Sequence, residues 1–170
     1  MISNKAKSLQ PIGGHSMLKR IYETVANITD ETSFVVGYEK ESIIKETKSF
    51  DGILHISEQK KPIGTADAVK SSFDSISDDS KVLVLYGDVP LIKESTLKNL
   101  LSLTKDSLTI LTTVLEDPFG YGRVKKDISG FAKAIVEEKD ASEDEKKIKE
   151  IFTGILCCNK KLLAEAVNDV

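Results

Sequence analysis

The chain has 170 residues, 40% of them hydrophobic and 30% charged, with a formal net charge of -3. That length suits one well-buried domain, and the composition excludes fibrous and disordered classes. Lys and Arg are spread without a basic patch, which argues against a nucleic-acid surface. No apolar run approaches the roughly 20 residues that span a bilayer, and the first residues lack the apolar core of a signal peptide. A cytoplasmic protein with no membrane partner is therefore expected.

In chain order, Leu18, Ile21, Tyr22 and Val25 fall at helical spacing after Ser16, a suitable N-cap, and Phe34-Val35-Val36-Gly37-Tyr38 reads as a short buried strand. A helix over 41–48, a strand over 53–56 and a helix over 65–73, introduced by Pro62-Ile63-Gly64, follow. Residues 81–86 form an apolar strand, expected to be the buried centre of a parallel sheet. After Pro90, residues 95–103 read as a helix and 107–115 as β-rich, and Pro118-Phe119-Gly120-Tyr121-Gly122 breaks regular structure. Strands over 131–136 and 151–158 flank a charged stretch whose residues 142–149 read as a solvated helix with opposite charges at helical spacing. Helices and strands alternating over short connections imply a three-layer α/β domain with a mostly parallel sheet.

The chemistry-bearing signals are sparse. Val82 to Ile92 is an apolar strand that ends in one carboxylate, Asp88. In an open α/β sheet the ligand crevice lies beyond the carboxyl ends of the strands, so Asp88 is placed either to hold a metal there or to cap the next turn. Cys157 and Cys158 are adjacent and point to opposite faces of a strand, which makes them packing residues of a reducing compartment rather than a disulfide or metal pair. His15 and His55 are isolated and structural, and Asn27-Ile28-Thr29 is a sequon without a secretion signal. Neither a GxxxxGK[ST] loop nor a complete dinucleotide fingerprint is present, which disfavours a kinase or a dehydrogenase.

Four blocks in order, Leu85-Tyr86-Gly87-Asp88-Val89-Pro90-Leu91, Asp117-Pro118-Phe119-Gly120-Tyr121-Gly122-Arg123, Ile135-Val136-Glu137-Glu138-Lys139-Asp140-Ala141 and Thr153-Gly154-Ile155-Leu156, carry a resemblance. The chain resembles, over essentially all of its length, the N-terminal pyrophosphorylase domain of bifunctional bacterial UDP-N-acetylglucosamine pyrophosphorylase/glucosamine-1-phosphate N-acetyltransferase. The resemblance implies a Rossmann-like nucleotidyltransferase domain and a reaction of N-acetylglucosamine 1-phosphate with UTP, giving UDP-N-acetylglucosamine and pyrophosphate for cell-wall precursors. Such chemistry needs positioning and charge stabilisation and no side-chain nucleophile.

The same resemblance implies roles by position. Asp88 matches the Mg²⁺ carboxylate, and Lys7 the lysine that balances triphosphate charge. Gln59 matches the glutamine that pairs with the uracil edge, Gly64 and Thr65 the base-contacting pair, and Tyr86 lies in the same nucleotide-binding strip. Gly122 would offer its backbone amide to the acetamido sugar, and Glu137 would accept from sugar hydroxyls. Taken alone, Lys7 reads as a solvated lysine, Gln59 as a loop residue, Gly64-Thr65 as a helix start, Gly122 as a turn glycine and Glu137 as a surface glutamate.

Departures accompany the matches. Met1 aligns with the methionine that ends the family's glycine-rich loop, so the first strand and phosphate loop, the second metal ligand and the acetyltransferase β-helix lie outside residues 1–170. Phe152 stands where the family usually has a sugar-binding asparagine, and Ala6 replaces a usual proline. The chain is thus expected to be a partial sugar-nucleotidyltransferase domain from an incomplete gene product, with an aggregation-prone sheet edge and an oligomeric state left open. A non-catalytic nucleotide- or sugar-binding remnant, or a transferase for another sugar phosphate, are the alternatives.

Overall fold

The computed structural model describes residues 6–37, 39–61 and 63–168. Met1, Tyr38, Pro62 and Val170, which the sequence reading invoked, lie outside the described residues. A 3₁₀ turn, Lys7–Leu9, precedes a small hairpin of β1 (Pro11–Ile12) and β2 (His15–Ser16), and α1 (Met17–Val25) follows at once. The Ser16 hydroxyl accepts from the Lys19 amide at 3.0 Å, which satisfies one orphan donor of the first turn as an N-cap should. The chain then runs through β3 (Glu31–Val36), α2 (Lys40–Thr47), β4 (Ile53–Glu58), α3 (Thr65–Lys70) and β5 (Lys81–Val84). Beyond these come α4 (Glu94–Leu103), β6 (Thr109–Val114), β7 (Arg123–Lys126), β8 (Ala132–Val136), β9 (Glu150–Asn159) and α5 (Lys160–Asn168).

The α/β class holds, with helices packed on sheet, but two expectations about the sheet need correction. Among the described residues only β3 and β4 pair in parallel, while β9 pairs antiparallel with β5, β6 and β7, and β7 pairs antiparallel with β8. Connectivity supplies the reason. A parallel pair needs a crossover, and β3–α2–β4 is the unit that returns through a helix to pair with its own predecessor; β7 and β8 are joined directly, which permits only the antiparallel hairpin. The second correction concerns β5, which is half-buried, pairs with β9 on one side and stands at the end of the strand order rather than at a buried centre.

Residues 142–149 do not form the expected α-helix; a 3₁₀ turn, Glu145–Lys147, takes their place. Glu145 turns back to the Ser142 amide and hydroxyl and reaches across to Lys125 on β7, and the Lys149 carbonyl accepts from the Leu115 amide. These long-range partners draw the chain out of helical register before a second turn can form. Lys146 pairs with Glu143 and Lys147 with Asp144 at i,i+3, and Lys149 reaches Glu116 at 2.6 Å.

The core lies between α1, α4 and the two sheet segments. Tyr22 stacks on Phe50 with ring centroids 4.5 Å apart, Phe34 tilts against both, and Leu97, Leu100, Ile155 and Cys157 complete the cluster. Both cysteines are free and buried, and burial pushes the Cys158 thiol up to about 11. His55 faces Glu31 at 2.9 Å and His15 faces Glu23 at 3.7 Å, one carboxylate each. No helix among the described residues is long and apolar enough to cross a membrane.

Candidate active site

Register along β9 builds the site. Ile151 faces Thr113 of β6 on one side and Arg123 of β7 on the other, while Leu156 faces Ile110 of β6 and Val84 of β5. Strands β5 and β7 therefore share one flank of β9, β5 along its carboxyl half and β7 at its start. The carboxyl end of β5 and the entry to β7 meet over the middle of β9, at Gly154.

Gly154 has φ +82°, and a Cβ there would lie 1.8 Å from Tyr86 Cε2. Only a bare backbone lets the Tyr86 ring cross β9 at this point. The Tyr86 hydroxyl then lies 3.5 Å from the Thr65 hydroxyl, at the start of α3. Two residues before Gly154, the Phe152 amide donates to the Gly122 carbonyl at 3.0 Å, which brings the entry to β7 alongside. Phe152 itself is half-buried.

Two residues beyond Tyr86, Asp88 is partly exposed and takes the Lys7 ammonium at 2.5 Å. The exposed Lys7 pKa is raised, first by its hydrogen bond to Asp88 and then by the charge of that carboxylate, with Tyr121 a smaller contributor. The turn carrying Lys7 can come this close because Gly87 lies against it: a Cβ at Gly87 would stand 3.3 Å from Ser8 Cβ. Upstream of the turn, the Ala6 amide donates to the Glu39 carboxylate at 2.5 Å, and Glu39 has a left-handed φ of 59° just ahead of α2.

Gln59 sits just past β4, its backbone amide bonded to the Val36 carbonyl at 2.8 Å. Its side-chain amide donates to the Gly64 carbonyl at 3.0 Å and to Asp67 at 2.9 Å. Gly64 has φ +139°, open space where a Cβ would be, and an exposed backbone ahead of α3.

On the β7 side Gly122 is buried, and a Cβ there would lie 2.8 Å from Ile135 Cγ2 and 3.3 Å from Glu137 Oε1. Gly122 and Glu137 thus face each other across the β7–β8 pair, with Glu137 exposed. Behind them Arg123, 2% exposed, donates to Glu138 at 2.6 Å and to the Tyr121 carbonyl, and Glu138 also accepts the Gly120 amide at 3.1 Å. The Arg123 guanidinium holds the Glu138 carboxyl below the usual carboxylate range, with the Gly120 amide helping. The loop that presents Gly122 is pinned at both ends by one ion pair.

The residues singled out from sequence fall into three local groups: Lys7 with Asp88; Gln59, Gly64, Thr65 and Tyr86; and Gly122 with Glu137. Sequence reasoning did not single out Asp67, Arg123, Glu138 or Gly154, whose contacts hold these groups in place. Gly154 belongs to the Thr153-Gly154-Ile155-Leu156 motif, but its φ of +82° and the ring above it arise only in three dimensions.

Asp88 suits a hard divalent cation. Its carboxylate already faces a cation, the Lys7 ammonium, and among the described residues no group of three or more His, Cys, Asp or Glu could form a protein cage. A lone carboxylate fits Mg²⁺, which fills its sphere with waters and substrate phosphate oxygens.

Residues 2–153 match the model of the MobA-like NTP transferase domain. A bifunctional GlmU protein of Neisseria meningitidis serogroup A is 42% identical over 166 residues, covering 96% of this chain and 36% of that protein. Its counterpart in Francisella philomiragia is 40% identical over 164 residues, with the same coverage of 96% and 36%. The chain thus spans little more than a third of the length of the curated relatives it matches. Among solved structures, a putative glucose-1-phosphate thymidylyltransferase of Bacillus anthracis superposes with a TM-score of 0.74 at 18% identity, covering 96% of this chain and 70% of that one. HddC of Yersinia pseudotuberculosis gives a TM-score of 0.72 at 20% identity, covering 97% and 72%. At such identities these structures bear on the fold, which they share with this chain.

Proposed function

Because this chain belongs to the MobA-like NTP transferase domain family, and matches bifunctional GlmU proteins over nearly all its length, we propose that it transfers a uridylyl group from UTP to N-acetylglucosamine 1-phosphate. The observation that supports this most is the crossing of the Tyr86 ring over Gly154 of β9, with the Gly122 entry to β7 bonded to the same strand two residues earlier, which sets the residues assigned to nucleotide and to sugar on one strand.

In this reading the sugar phosphate oxygen attacks the α-phosphorus of UTP, the bond to the β-phosphate oxygen breaks, and pyrophosphate leaves. Asp88 would hold Mg²⁺, which when bound supplies charge neutralisation on the phosphate oxygens. Lys7 exchanges its ion pair with Asp88 for the triphosphate and balances the charge of the leaving group. Gln59 takes the base edge, Gly64 and Thr65 approach the base with backbone and hydroxyl, and Tyr86 walls the nucleotide against β9. Gly122 donates its amide to the acetamido carbonyl, and Glu137 accepts from the sugar hydroxyls. Alignment of the two phosphates, rather than a covalent intermediate, lowers the barrier.

A coupled assay of pyrophosphate release with UTP, N-acetylglucosamine 1-phosphate and Mg²⁺ tests the reading. Turnover should fall by at least about 100-fold in Asp88→Asn while thermal unfolding stays near that of the wild type, since the carboxylate sits at a partly exposed turn. A wild-type chain that binds UTP and releases no pyrophosphate would refute it in favour of a binding remnant.

A further inference from the structure

We propose that Asp67 fixes the orientation of the Gln59 amide and thereby makes this site select a nucleotide whose base carries a hydrogen on its ring nitrogen, as uracil and thymine do. The inference rests on the reading that Gln59 meets the base, and it assigns a role to a residue outside the motif blocks.

A glutamine amide offers two N–H donors and one carbonyl acceptor, so in principle it suits either kind of base edge. Here both donors are committed. Gln59 Nε2 donates to the Gly64 carbonyl at 3.0 Å and to Asp67 Oδ2 at 2.9 Å. Both partners are acceptors without a hydrogen to give, so the amide cannot be turned over: the flipped group would set its own oxygen against a carbonyl and a carboxylate. The backbone is equally fixed, because the Gln59 amide bonds the Val36 carbonyl at 2.8 Å. What Gln59 presents to a ligand is its Oε1 alone.

An in-plane base facing Oε1 must bring a hydrogen. Uracil and thymine do so with N3–H; cytosine presents the N3 lone pair at the same place, and two acceptors repel. Gly64 would supply half of this arrangement in any sequence, since its partner atom is a backbone carbonyl. Asp67 supplies the other half, and it lies only three residues from Gly64, on the first turn of α3. Without Asp67 one amide hydrogen is released, the group can rotate, and the site can meet either edge. Asp67 is a positioning residue, acting through Gln59 and touching no reacting atom.

Equilibrium binding of UTP, CTP and 3-methyluridine 5′-triphosphate, measured by isothermal titration with Mg²⁺ present, tests this without requiring turnover. The wild type should bind UTP at least about ten-fold more tightly than either of the other two, which lack a hydrogen on N3, because a site built to hydrogen-bond rejects the ligand without the matching group. Asp67→Ala should bring the UTP-to-CTP ratio close to one, and Asp67→Asn, whose own amide can turn to give a hydrogen to a flipped Gln59, should lower the ratio as well. Equal binding of UTP and its 3-methyl analogue by the wild type, or an unchanged ratio in a folded Asp67→Ala, would overturn the proposal. If Asp67→Ala misfolds, Asp67→Asn reads the role of Asp67, while the 3-methyl analogue reads the contact to N3 without any variant. Selective UTP binding with no pyrophosphate release would support the role of Asp67 while refuting the transferase reading; turnover with unselective binding would do the reverse.

Discussion

Replacing Gly154 by alanine should damage the protein through two separable effects. The backbone there has φ +82°, and an L-residue forced into the left-handed region costs roughly 1–2 kcal/mol. The added methyl would also fall 1.8 Å from Tyr86 Cε2 and 2.7 Å from Cδ2, so the ring must leave β9. Overpacking of this kind costs about 1–3 kcal/mol, and the Tyr86 ring, 40% exposed, can swing outward, which favours the lower end. The total is about 2–4 kcal/mol, or a fall in melting temperature of about 5–15 °C for a domain of this size. Urea unfolding of Gly154→Ala, Tyr86→Ala and the double variant separates the two parts. With the ring absent, only the backbone penalty remains, so Gly154→Ala should cost about 1 kcal/mol or more less in the Tyr86→Ala background than in the wild type. An identical cost in both backgrounds would show that the ring does not rest on Gly154, and would remove the link between the nucleotide side and β9.

Two further outcomes follow from the charged loops. Glu145 is brought down to about 2, first by Lys125 and then by the Ser142 amide and hydroxyl. A depressed carboxyl contributes stability that is fully present above its unfolded value near 4.5 and is lost as pH falls toward 2. The urea midpoint should therefore drop across that window, and Glu145→Gln should flatten the drop; an unchanged slope would refute the assignment. In Glu138→Gln, the Arg123 partner and the acceptor of the Gly120 amide lose their charge, so hydrogen exchange at Gly120 should accelerate by roughly ten-fold and the apparent KM for the sugar phosphate should rise more than that for UTP. Equal changes in both KM values would assign the pair to general stability instead.

The sequence by itself determined those features whose cause is local. Ser16 caps α1 because a hydroxyl one residue before an apolar 3.6 pattern has few better partners, and the helices near 41–48 and 95–103 follow from the same periodicity. The apolar run that ends in Asp88 marks where a carboxylate emerges, and the motif blocks carry the family resemblance. Tertiary structure decided the rest. Lys7 and Asp88 are 81 positions apart, and nothing in either neighbourhood specifies their 2.5 Å approach. The charged run 142–149 carries helical spacing, yet Lys125 and Leu115 offer its residues partners that one more helical turn could not match. Whether β5 is a centre or an edge depends on what pairs with its far side, and whether Gln59 gives or accepts depends on Asp67. Periodicity and capping are encoded within a few residues of themselves. Pairing, register and the direction of a hydrogen bond are set by groups that only folding brings into reach.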